Sequence, residues 1–88
     1  MKYINIDGDT WLVYDTVNKR MLGEFTTAQI EAEISSIDTR MAEIPSEPSN
    51  EEYLTWAKQN MPIVDYSIEK NNLETRKSFL EEVKRNIS

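Results

Sequence analysis

Five apolar residues, Ile30, Ile34, Ile37, Met41 and Ile44, recur at spacings of 4, 3, 4 and 3. That rhythm fits one local structure, an α-helix with a single apolar seam. Its ends are marked as well. Thr26 and Gln29 make a Thr-x-x-Gln capping box ahead of the seam, and Pro45, whose ring clashes with a continuing helix, follows it. A helix is therefore predicted over residues 27–44. Isoleucine at both core positions of a heptad favours three- or four-stranded assemblies, yet about two and a half heptads are too short to stand alone. Two uses are open to the seam: packing against other helices of the same chain, and self-association with copies of it. In a bundle one seam serves both.

Around this helix the sequence supplies further punctuation. Pro48 keeps residues 45–49 extended as a linker, and Ser49-x-x-Glu52 is a second capping box. It predicts a short helix over 50–61, closed by Pro62, with Leu54, Ala57 and Met61 inward and Tyr53 and Trp56 at the edge of that face. Asp65 is placed to cap a third helix over 66–87, with Leu73, Leu80, Val83 and Ile87 inward and Phe79 flanking. The first 25 residues read differently. Tyr3 to Ile6 and Thr10 to Asp15 are rich in aromatic and β-branched residues and are separated by Asp7-Gly8, a hairpin signal. A turn over Val17, Asn18 and Lys19, with Asn18 left-handed, returns the chain as Arg20 to Phe25, where Gly23 marks a bulge or close approach. The expected fold is one α+β domain over residues 1–88: a short antiparallel β-meander, then three helices, two longer ones flanking a short one.

Residue types narrow the function. The chain holds no histidine and no cysteine, so the usual general base, thiolate nucleophile and zinc ligands are missing and no serine has an activating partner. Only a carboxylate pair drawn from Asp7, Asp9, Asp15, Glu51 or Glu52 is left for catalysis, and it needs a cleft that 88 residues can hardly enclose. Asp7-Gly8-Asp9 resembles the start of a calcium loop, but Trp11 and Asn18 stand where further ligands belong, and a turn explains the triplet. The expectation is a non-enzyme with no cofactor and no metal.

Ten basic against sixteen acidic residues give a net charge of −6. Such a chain lacks the cationic face that direct nucleic-acid or anionic-membrane binding requires. No run approaches the length of a membrane span, and the N-terminal residues do not read as a signal peptide, so a cytosolic location is expected. Residues 27–62 carry two basic and seven acidic side chains. That acidity admits either an ordinary solvated face or a partial imitation of the phosphates of DNA.

Trp11 and Tyr14 lie on opposite faces of the second strand, so one helix layer cannot cover both. Trp and Tyr are enriched at interface hot spots. A partner surface is therefore placed on the short helix, with Tyr53 and Trp56 as anchors and Glu51 and Glu52 as its charged rim. Residues 25–62, with TTAQIEAEISSIDTRMAEIP from Thr26 followed by SEPSNEEYLTWAKQNMP, resemble the helix, proline break and acidic-aromatic helix of small proteins encoded by tailed bacteriophages. The resemblance implies a protein that works by binding proteins, in the host cytosol or in the virion. Two functions follow as expectations: a self-associating structural or assembly protein, and a small acidic inhibitor of a host defence or nucleic-acid enzyme.

Overall fold

A computed structural model describes residues 1–87. Strands β1 (Lys2–Asp7), β2 (Thr10–Asp15) and β3 (Arg20–Phe25) form one antiparallel sheet in the order β1-β2-β3. Helices α1 (Thr27–Glu43), α2 (Asn50–Lys58) and α3 (Tyr66–Ile87) follow, which makes the fold α+β as expected.

Both turns of the meander differ in detail from the sequence reading. Asp7 pairs with Thr10, so the loop is Gly8-Asp9, one residue later than expected. Gly8 alone there has a positive φ, +51°, the pattern of a II′ turn. The shift follows from a bulge in β1 between Asn5 and Asp7, and the Asn5 side-chain amide donates to the Gly8 carbonyl at 2.9 Å. At the second turn the left-handed residue is Lys19, φ 55°, and not Asn18. The Asp15 carboxylate accepts hydrogen bonds from the backbone N–H groups of Val17 and Asn18 and from the Asn18 side-chain amide at 2.8 Å. Asn18 is thereby fixed before the chain reverses, and the left-handed position passes to its neighbour.

Gly23 does sit at a bulge. Val13 pairs with Gly23 but Tyr14 pairs with Met21, which leaves Leu22 as the extra residue of β3. Strict alternation would send Leu22 and Gly23 to opposite faces. The bulge instead brings Leu22 onto the face that packs on the core, and Gly23 takes the φ of +126° that this requires.

Under that face Val13, Ile30, Ile37, Leu80, Val83 and Ile87 form one buried cluster. Trp11, Leu22, Phe25, Ile34, Met41 and Phe79 are among the half-buried residues packed against it. Helices α1 and α3 run antiparallel, as the ion pairs between them show: Arg40 with Glu69 at 2.7 Å, Glu33 with Arg76 at 3.0 Å, Asp38 with Lys77 at 2.6 Å and Glu31 with Lys84 at 3.2 Å. Of the seam, Ile30, Ile37 and Ile44 are 0%, 6% and 7% exposed. Those three are buried within the chain, the internal-packing use of the two open to the seam, and they leave little surface for self-association through Ile30, Ile37 and Ile44. Ile34 and Met41 keep some exposure at its flank.

The capping boxes form as the sequence predicts. Thr26 Oγ1 accepts from the Gln29 N–H at 3.1 Å while Gln29 Oε1 accepts from the Thr26 N–H, and Ser49 and Glu52 repeat the arrangement. Helix α2, however, stops at Lys58 and not at Met61. Asn60 adopts φ 53°, the Met61 N–H donates to the Trp56 carbonyl at 2.8 Å and the Asn60 N–H to that of Ala57. This is a Schellman closure, with asparagine as the left-handed residue. It ends the helix before Pro62 has any effect.

The molecule is long. Its extents are 55 × 26 × 16 Å and its radius of gyration is 18.0 Å, against about 12 Å for a compact chain of this length. The buried cluster gathers at the sheet end, and α2 contributes no buried residue. Leu80→Ala, at a fully buried position, should therefore remove about 2–5 kcal/mol, comparable with the whole stability of so small a core. Val17→Ala, in a loop and 84% exposed, should change stability by less than about 0.5 kcal/mol. Urea denaturation of both variants measures the contrast.

Candidate functional site

Helix α2 carries all four residues expected to meet a partner, and their placement divides them. Glu51 and Tyr53 are exposed, whereas Glu52 and Trp56 are half-buried. Tyr53 and Trp56 meet edge-to-face, with ring centroids 5.9 Å apart at 85°. The helix is tied to the start of α3 by the Tyr66 hydroxyl, which donates to Glu52 Oε2 at 2.5 Å. Glu52 also accepts from the Ser49 backbone N–H in the capping box. Its carboxylate thus serves the fold as well as the surface; neither Glu51 nor Glu52 is ion-paired among the described residues, and of the two only Glu52 has its carboxylate engaged by hydrogen bonds.

The orientation of α2 reverses the expectation. Leu54, Ala57 and Met61, predicted to face inward, are exposed, Leu54 by 60%. Leu54, Ala57 and Met61 make up the more aliphatic face, the one an amphipathic helix ordinarily buries. The side turned toward the chain is that of Glu52 and Trp56, and the Tyr66 hydroxyl meets Glu52 there. The apolar surface so released continues along the chain through Ile63, Val64 and Ile68, of which Ile63 and Ile68 are more than 60% exposed. The N-terminus of α3 is capped where expected: Asp65 Oδ1 accepts from the Ser67 N–H at 3.0 Å and from the Ser67 hydroxyl at 2.6 Å.

The acidic side chains of α1 have partners that sequence reasoning missed. Glu31, Glu33 and Asp38 each pair with a cation of α3. The signal was present in the sequence. Glu31 and Asp38 are one heptad apart, as are Lys77 and Lys84; Glu33 and Arg40 repeat that spacing, as do Glu69 and Arg76. Charges at heptad spacing beside an apolar seam mark the flanks of a paired helix.

The other candidate carboxylates are scattered. Asp7 and Asp9 flank the first turn, Asp15 is engaged in the second, and Glu51 and Glu52 lie on α2. Among the described residues no three His, Cys, Asp or Glu side chains gather where they could hold a metal. An open groove of about 510 Å³ runs between the second turn and α3, lined by Asp15, Arg20, Leu22, Arg76 and Phe79 among others. Asp15 is the one carboxylate in its described lining. The Arg76 guanidinium lies over the rings of Phe79 and Phe25, at 5.2 and 6.0 Å from their centroids, while paired to Glu33. These groups close the edge of the core, and the groove lacks the second carboxylate that acid–base chemistry of the glycosidase kind needs.

No helix of the described residues is long and apolar enough to cross a membrane. Compared with protein-family models, with curated proteins and with solved structures, the chain matches none.

The contact between Tyr66 and Glu52 has a pH signature. The hydrogen bond from Tyr66 holds the Glu52 carboxyl below its ordinary value, and the same bond to Glu52 pushes the Tyr66 hydroxyl above 10.0. A lowered carboxyl pKa stabilises the docked helix above the unfolded value and loses that effect as pH falls through the folded one. The raised phenol acts at the other limb: its contribution is complete below 10.0 and lost as pH rises through the folded value. In a Trp11→Phe background, Trp56 emission should shift to the red at both extremes. Tyr66→Phe should remove both transitions, as a fluorescence titration reads directly.

Proposed function

We propose that this chain is a non-enzymatic protein–protein interaction module that self-associates, a structural or assembly component of the kind its resemblance to small phage proteins implies. The observation that carries this reading is the apolar surface at the α2 end. Leu54, Met61, Ile63, Val64 and Ile68 lie exposed together in sequence beside a helix with no buried residue. A nine-residue helix is too short to be stable alone. Exposed apolar side chains grouped in this way are a feature of interaction sites on soluble proteins.

The alternative, an inhibitor whose acidity imitates nucleic acid, needs carboxylates free to meet a basic partner. Four of the seven acidic residues in 27–62 are ion-paired within the chain: Glu31, Glu33, Asp38 and Glu43. Those pairs weigh toward the first reading.

The test is the mass in solution. Multi-angle light scattering from about 1 to 100 μM should give a weight-average mass that rises above the 10.3 kDa of one chain as concentration increases. A mass that stays at one chain throughout, with a cooperative melt, would mean that the exposed surface needs no second copy.

A further inference from the structure

We infer that two copies of this chain pair through α2 in antiparallel fashion, with Leu54 beside the two-fold axis and Glu51 of each copy against Lys58 of the other. The inference rests on the self-association proposed above and names the surface responsible.

Three observations converge on it. The first is area. The chain exposes 6403 Å², whereas a compact monomer of 10.3 kDa exposes about 5,400 Å². The excess of about 1,000 Å² per chain belongs to the whole elongated molecule, and it leaves room for the roughly 800 Å² that each partner gives to an ordinary stable interface.

The second is the composition of one face. Glu51, Leu54 and Lys58 follow at spacings of three and four, so they share a side of α2. Leu54 is 60% exposed, and the sequence continues from this face into Met61, Ile63 and Val64. An acid, an apolar residue and a base in line form a self-complementary set, provided the second copy is reversed. The midpoint between Glu51 and Lys58 falls between Leu54 and Thr55. A two-fold axis there sets Leu54 near its own copy and makes both charge pairs at once, as an isologous interface requires.

The third is that these two charges have no ion-pair partner within their own chain among the described residues, while the charges between α1 and α3 do. Reversing the helices also sets the N-terminal end of each helix dipole beside the C-terminal end of the other. A parallel arrangement would oppose Glu51 to Glu51 and Lys58 to Lys58. A partner of different sequence has no reason to match both ends.

Charge exchange tests the geometry. Glu51→Lys faces Lys58 of the second copy, and Lys58→Glu faces its Glu51, so each variant alone should weaken the dimer at least about tenfold, as read by analytical ultracentrifugation. An equimolar mixture of the two variants should regain the dimer, because each heterodimer holds one Lys–Glu pair and one Glu–Lys pair. The double variant carrying both substitutions should regain it too. Leu54→Asp should abolish the dimer while circular dichroism of the α1–α3 pair persists. Recovery on mixing separates a reversed pair contact from mere fraying of α2, since each chain still carries its own substitution. If the wild type associates but the single variants associate equally well, or if mixing restores nothing, the α2 pairing is overturned while self-association stands. A wild type that remains a single chain at about 100 μM overturns both.

Discussion

The structure depends on one contact, the antiparallel apposition of α1 and α3. Among the described residues it is the one extensive helix–helix contact, and the sheet's buried residue Val13 joins the cluster that these two helices form. Ile30 and Ile37 from one side and Leu80, Val83 and Ile87 from the other close the seam, and Val13 from β2 closes its end. Removing this apposition would leave a three-stranded meander, which is marginal without something to cover its apolar face. The ion pairs along both flanks are partly solvated. Their value lies in register: a slip of one heptad would re-form a pair on the flank of Glu31, Asp38, Lys77 and Lys84, but on the other flank it would set Glu33 against Glu69 or Arg40 against Arg76.

The elements were legible because their signals are local. A capping box, a proline and a period of three and four need only a few neighbouring residues to act, and Thr26, Ser49, Pro45 and the isoleucines all behave as that chemistry dictates. What the sequence hid depended on contacts between distant residues. Nothing near α2 says that Tyr66, fourteen residues beyond Glu52, will supply a hydrogen bond to that side of the helix. The phase of both turns depended on Asn5 and Asp15 reaching back to the loop. Asn60 is a local signal of the same kind: asparagine is, after glycine, the common left-handed residue at a helix end.

The expected partner residues show the same division. Glu51 and Tyr53 lie at the surface, while Glu52 and Trp56 are turned toward the chain. A search for hot spots by residue type favours aromatic rings, but the largest exposures at this end belong to Leu54, Ile63 and Ile68. Aliphatic exposure of this kind cannot be read from composition, because the same residues in a compact fold would be its core.

The lopsided core also bears on how the molecule opens. Helix α3 is one continuous rod of 22 residues, about 33 Å long, and its two ends lie in different surroundings. Leu80, Val83 and Ile87 are locked into the buried cluster, whereas Ile68, one turn into the helix, is left in solvent. Amide hydrogens toward the C-terminal end can exchange only when the whole cluster opens. Those of the first turns exchange through local fraying, which costs far less. A single helix should thus display a graded ladder of protection. Proteases that act on partly opened chains should find their first cuts between α2 and the early turns of α3, well before the sheet is disturbed.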